Sequence, residues 1–235
     1  MELSLRLKNI VAMVDSCDCI ADIGTDHGYI PIYLVKNHIC RRAIASDINK
    51  GPVKKAKFNV ELENVQDKVQ CRLGPGLTTI MPGEVQGIVI AGMGGNLISN
   101  ILEESEDVFR KAEFAILQPV QNPEVLREYV YKKGYKIVDE ELCIDEGRFY
   151  EIIKITYGLN SENVNEVFYE IGKILVEKKH PLLEEYIKSK LNKYGKILNN
   201  INEDTEIANK RKLELKRNIL RLEDLLDEFK SKRYS

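Results

Sequence analysis

The run Asp22-Ile-Gly-Thr-Asp-His-Gly28 packs two glycines, two carboxylates, a hydroxyl (Thr25) and an imidazole into seven residues. Gly24 and Gly28 allow a backbone to approach a ligand closely, and a helix opening after them offers unpaired N–H groups. Asp47 stands 23 residues beyond Gly24, where a carboxylate can accept hydrogen bonds from both hydroxyls of a ribose. Gly74-Pro75-Gly76 closes another apolar run and leaves space for an adenine ring; Gly92-Met93-Gly94-Gly95 closes a further one. Alone, the first glycine loop is a weak signal, because a plain strand-to-helix turn also uses such glycines. Joined to Asp47 and two more glycine-rich strand ends, it suits a ligand built on adenosine. A dinucleotide fingerprint would read G-x-G-x-x-G. Here Asp22 and Asp26 lie where a pyrophosphate would sit, which disfavours a diphosphate and favours cationic groups. S-adenosylmethionine, with an α-ammonium and a sulfonium, fits that pattern.

Such residues act together only if strands deliver them to one edge. The pattern predicts an amphipathic helix over 3–16, then strands at 19–23, 43–46, 69–73, 87–91 and 114–117. Helices are expected after Gly28, from Pro52 to about Asn64, after Gly95, and from Pro123 to Lys133. Short apolar strands alternating with helices indicate an α/β fold with a parallel sheet buried on both faces. Ligands then bind outside the carboxyl ends of the strands. Residues 136–144 and 148–157, split by Asp145-Glu146-Gly147, read as a hairpin that ends the sheet with an antiparallel strand.

Residues 159–165 form a polar linker, and no strand signal follows. Leu183, Ile187, Leu191, Tyr194, Leu198 and Ile201 step at heptad-like spacing, as do Leu215, Ile219, Leu222, Leu226 and Phe229. A turn at 199–204 would fold these into two antiparallel helices, a coiled coil, with His180 solvated near the start of the first. Two domains are expected, residues 1–158 and 159–235.

The 35 Lys and Arg nearly balance 37 Asp and Glu, and the pI near 6.1 excludes a simple basic nucleic-acid module. Residues 1–158 hold 19 basic and 23 acidic side chains; residues 159–235 hold 16 and 14. No apolar run approaches the length of a membrane span, and the N-terminus lacks signal-peptide character. Five cysteines without CxxC pairs fit neither a disulfide framework nor a zinc site. Reduced, buried thiols and a cytoplasmic location are expected, with Cys17 and Cys19 on one strand face, no metal, no membrane and no obligate protein partner.

Several stretches resemble the TrmK family of bacterial class I methyltransferases, which modify N1 of adenine-22 in tRNA. They are Ala21-Asp-Ile-Gly-Thr-Asp-His-Gly-Tyr-Ile-Pro31, Ser46-Asp-Ile-Asn49, Ala91-Gly-Met-Gly-Gly95, Leu117-Gln-Pro119, Tyr150-Glu-Ile-Ile153 and the N-terminal Leu3-Ser-x-Arg-Leu7. The resemblance implies a Rossmann-like sheet, S-adenosylmethionine as cofactor and tRNA as substrate. It assigns Asp22, Gly24, Thr25, Asp26, His27 and Gly28 to the methionine end of the cofactor and Asp47 and Ile48 to the ribose. Gly74, Pro75 and Gly76, with Gly92, Met93, Gly94 and Gly95, would wrap the adenine and the reacting edge. Arg6 would reach the cofactor carboxylate or make a surface ion pair. Relatives often carry Asp or Asn where this chain has Pro75, and Asn where it has Val120.

Adenine N1 has a lone pair and no proton to remove, so transfer needs orientation and desolvation more than a base. Asp26 is the leading candidate to stabilise the cationic product, besides its place in cofactor binding. Gln118 could read the adenine edge, since a carboxamide both donates and accepts, or could cap the fifth strand. His27 is not expected to act as a base. The densest cations for an RNA backbone are Lys178, Lys179, Lys188, Lys190, Lys210, Arg211, Lys212, Lys216 and Arg217. Two other readings stand beside a tRNA enzyme: a methyltransferase for protein or small molecules, and a nucleotide-binding module that pairs through the helical tail.

Overall fold

The computed structural model describes residues 2–158 and 164–233, so most of the 159–165 linker lies outside the described residues. The chain forms two compact units, 1–163 and 164–235.

In the first unit, α1 (Leu5–Ala12) precedes alternating elements: β1 (Cys17–Ile23), α2 (Tyr29–Lys36), β2 (Cys40–Asp47), α3 (Lys50–Leu62) and β3 (Val69–Leu73). A 3₁₀ turn (Gly76–Thr79) leads to β4 (Gly87–Gly94), α4 (Gly95–Glu104), α5 (Glu106–Phe109), β5 (Phe114–Gln121) and α6 (Pro123–Lys132). The hairpin β6 (Lys136–Asp145) and β7 (Arg148–Thr156) completes the sheet. Its order is β3-β2-β1-β4-β5-β7-β6. The first five strands pair in parallel, while β7 inserts between β5 and β6, antiparallel to both. The chain order reverses between β1 and β4, and that switch point opens a crevice at the carboxyl ends of the strands.

Strand alternation sends side chains to two apolar layers. Ala21, Ile23, Ile88, Ile90 and Leu117 pack beside Leu102, Phe109 and Leu126 on one face. Ile20, Val89 and Ile116 pack beside Ile10, Ile32 and Val60 on the other. Burial on both faces explains why these strands read as unbroken apolar runs. Cys17 does not share the layer of Cys19: it packs with the second layer, its Sγ 3.3 Å from that of Cys40. All five cysteines are free; Cys19, Cys40 and Cys143 are buried, and Cys17 and Cys71 are half-buried.

Arg127 of α6 is wholly buried, its Nε 2.8 Å from Glu140 of β6 and its Nη2 2.6 Å from Glu151 of β7. This triad ties the helix to the hairpin. A buried cation held by two carboxylates is costly to break from one side, because the partners are left charged and unpaired.

The second unit contains α7 (Val167–Glu170), α8 (Lys173–Glu177), α9 (Leu183–Asn200) and α10 (Glu206–Arg233). Leu183, Ile187, Tyr194, Leu215, Leu222, Leu226 and Phe229 of the expected seams are buried, and α9 packs against α10. His180 is buried rather than solvated; its Nδ1 accepts from Leu182 N at 3.2 Å in the turn before α9. Lys190 is also buried, donating to Glu170 O at 2.6 Å and Glu170 Oε2 at 3.0 Å. Tyr194 and Asn218 complete the shell around that carboxylate. A lysine spaced like a surface residue thus serves the interior, since α7 brings it a partner from outside the helical repeat.

Among the described residues no helix is long and apolar enough to cross a membrane, and no cluster of three or more His, Cys, Asp or Glu could hold a metal.

Candidate active site

The loop after β1 is built by backbone constraints first. Gly24 N and Thr25 N both donate to Ser46 O of β2, at 2.8 and 3.0 Å, which folds the chain sharply over the strand ends. Gly24 sits at φ +79°, a left-handed backbone conformation that favours glycine, with the Met93 methyl close by. The loop is pinned to α3 from the other side: Asn59 Nδ2 donates to His27 O at 2.9 Å, and Lys55 Nζ lies 3.7 Å from Asp26 Oδ1. Gly95 starts α4 against Asn122 O, closely enough that a Cβ would collide with that carbonyl.

These constraints shape a cavity of about 450 Å³, in the usual range of small-molecule sites. Of the expected residues it brings together Arg6, Asp22, Gly24, Thr25, Asp26, His27, Gly28 and Gly92. Asp47, Ile48, Gly74, Pro75 and Gly76 line no part of this cavity; they lie at and beyond the ends of β2 and β3. There Asp47 Oδ1 accepts from Asn49 N at 2.7 Å, and Ile48 is exposed. Met93 and Gly94 end β4, and Gly95 opens α4.

Asp22 and Asp26 differ in kind. Asp22 is 5% exposed at the end of β1. Burial pushes its pKa up to about 6; the Thr25 hydroxyl opposes that rise and the Asp47 charge adds to it. Asp26 stands at the rim, its side chain 63% exposed, with Oδ2 3.1 Å from His27 Nε2. His27 stacks on Tyr29, ring centres 5.0 Å apart and planes within 11°. The imidazole is therefore built into the wall.

Gln118 is fully buried on β5. Its Oε1 accepts from Arg6 Nη1 at 2.6 Å and its Nε2 donates to Pro119 O at 3.0 Å. The carboxamide expected to meet an adenine edge is committed at both ends within the protein. Val120, two residues on, is exposed.

Ser4, Leu7, Tyr29, Ile30, Ala91, Asp145, Glu146 and Tyr150 also line the cavity, and none of them was expected at the site from residue type and spacing. Asp145 and Glu146 look like hairpin residues and no more. Yet Asp145 Oδ2 accepts from Arg6 N at 3.1 Å, and bonds from Ser4 and Arg6 hold its carboxyl below the usual range. The hairpin tip thereby clamps α1 to the mouth of the cavity. Tyr150 underlies Arg6, the guanidinium carbon 5.5 Å from the ring centre.

The donor set fits S-adenosylmethionine. A buried carboxylate and a second acid at the rim suit the ammonium and sulfonium, Arg6 suits the carboxylate, and the free oxygen of Asp47 suits the ribose. Strand order and pocket together define an α/β methyltransferase fold. A model of the family TrmK, tRNA (adenine(22)-N(1))-methyltransferase, matches residues 20–224. The Bacillus subtilis tRNA (adenine(22)-N(1))-methyltransferase is 39% identical over 158 residues, 67% of this chain and 66% of that protein. The crystal structure of the B. subtilis M1A22 tRNA methyltransferase TrmK superposes with a TM-score of 0.86 at 32% identity, covering 96% of this chain and 99% of the other. M. capricolum TrmK, solved with its cofactor product S-adenosyl-homocysteine, gives a TM-score of 0.82 at 28% identity, covering 97% and 99%. The chain belongs to the TrmK family.

Proposed function

We propose that this protein is a cytoplasmic S-adenosylmethionine-dependent tRNA methyltransferase that places a methyl group on N1 of adenine-22. The observation that carries this is the buried Asp22 beneath a switch-point cavity in a chain of this family. The cofactor supplies a methyl group already activated on a sulfonium. Asp22 holds the ammonium and Arg6 the carboxylate. Asp47 and Ile48 take the ribose side, and the segments 74–76 and 92–95 border the adenine and the reacting edge. Asp26, exposed at the rim and braced by His27 and Lys55, faces the incoming base and offsets the positive charge that appears on N1. The bond forms from a lone pair, so His27 has no proton to take and serves as a wall with Tyr29. The target edge is the pairing edge, and the base enters unpaired or turned out of its stack.

Residues 1–158 are the catalytic domain, and 159–235 are a coiled-coil arm that supplies cationic footing for the RNA. Lys210, Arg211, Lys216 and Arg217 are exposed there, whereas Lys190 is spent on Glu170. Incubation with methyl-labelled S-adenosylmethionine and an unmodified tRNA transcript should yield labelled N1-methyladenosine. Label confined to protein or small molecules would favour another methyltransferase class, and no transfer with the cofactor bound would favour a binding module.

A further inference from the structure

Gln118 and Arg6 lie 112 positions apart in sequence, yet they make one unit at the ends of β4 and β5. Gln118 pairs in register with Ala91, just before Gly92. Arg6 Nη1 lies 4.0 Å from where a Cβ on Gly92 would stand. Three groups converge on this arginine: Gln118 Oε1 on one Nη, Tyr150 beneath the guanidinium, and Asp145 on its backbone N–H. Among the residues described as lining the cavity, Arg6 is the one lysine or arginine, set among Asp22, Asp26, Asp145 and Glu146. A long side chain samples many rotamers unless something fixes it. A buried acceptor on one Nη does so, and it leaves the other guanidinium N–H donors for an anion in the cavity.

We infer that Gln118 is a positioning residue: it holds the Arg6 guanidinium over the cavity as the receptor for the carboxylate of the cofactor's amino-acid part. This rests on the proposed reading of the cavity as the S-adenosylmethionine site. It moves Gln118 from the substrate base to the cofactor, through Arg6. The Nε2 bond to Pro119 O fixes the amide so that its oxygen faces Arg6.

Calorimetric titration with two ligands tests this. One is S-adenosylhomocysteine; the other is its decarboxylated analogue, which keeps the adenosine and the ammonium. Arg6→Met and Gln118→Met should each weaken S-adenosylhomocysteine about ten-fold or more, the scale of a lost hydrogen bond to a charged group. Neither should change affinity for the decarboxylated ligand, and the double variant should bind no worse than Arg6→Met. Folding of each variant is followed by thermal melting, so that a loss of affinity is read only from folded protein. If Arg6→Met weakens S-adenosylhomocysteine while Gln118→Met does not, the positioning role is wrong and the carboxylate role of Arg6 stands. If Gln118→Met weakens both ligands equally, it acts by packing alone and the inference fails. If Arg6→Met leaves both ligands unchanged, the reading of Arg6 itself fails.

Discussion

Lowering the pH from 8 to 5 should weaken S-adenosylhomocysteine binding about ten-fold through one side chain, since a group with pKa near 6 is roughly nine-tenths protonated one unit below it. That side chain is Asp22, whose burial raises its pKa to about 6. Only the carboxylate form attracts the ligand's ammonium, so binding below pH 6 must release a proton. Calorimetry in buffers of differing ionisation enthalpy counts that proton directly. Asp22→Asn should bind weakly at every pH and lose the pH dependence, which separates Asp22 from His27 nearby. The same proton is linked to folding. The folded-state value lies above the ordinary 3.8, so the stability this group contributes is present below about pH 4 and lost as pH rises through 6. The gap between the two values corresponds to about 3 kcal/mol. Asp22→Asn should therefore gain stability over the wild type by roughly that amount between pH 4 and pH 8. A flat affinity profile in the wild type, or an unchanged slope in Asp22→Asn, would refute the reasoning.

Three further outcomes are expected. Arg127→Met should cost about 3–5 kcal/mol in denaturant unfolding, as Glu140 and Glu151 are left charged and buried, and adding Glu140→Gln and Glu151→Gln should restore much of it. Gly95→Ala should lower stability by about 1–3 kcal/mol because its Cβ meets the Asn122 carbonyl; an unchanged melting temperature would show that α4 can shift freely. Removing residues 159–235 should weaken tRNA binding far more than cofactor binding, and equal tRNA affinity in the truncated chain would dismiss the arm's proposed role.

The strand ends were legible because their chemistry is local. Asp22 to Gly28, Asp47 and Gly92 to Gly95 announce themselves by residue type next to an apolar run. Element lengths were less so. The pattern stops β4 at Ala91, yet the strand runs to Gly94 because its ladder with β5 continues, with register shifts, to Gln121. Pairing overrode the glycines' poor strand propensity. The hairpin was readable, but not that β7 would insert beside β5, so that Tyr150 of β7 and Asp145 at the end of β6 reach the cavity mouth. Gln118 was noticed for its chemistry, but its bond to Arg6 was not legible, since only the folded sheet brings the two together. Lys190 shows the same limit: helical spacing marks a face, and its partner Glu170 comes from outside that repeat.

N1-methyladenine cannot form a Watson–Crick pair, so reverse transcription of the product gives the most direct measurement. An unmodified tRNA transcript incubated with the protein and S-adenosylmethionine should arrest the polymerase one nucleotide before position 22. The arrest should vanish when adenine-22 is replaced by guanine, and with an Asp22→Asn, Asp26→Asn double variant. Read-through of the wild-type reaction, or an arrest at another position, would contradict the account.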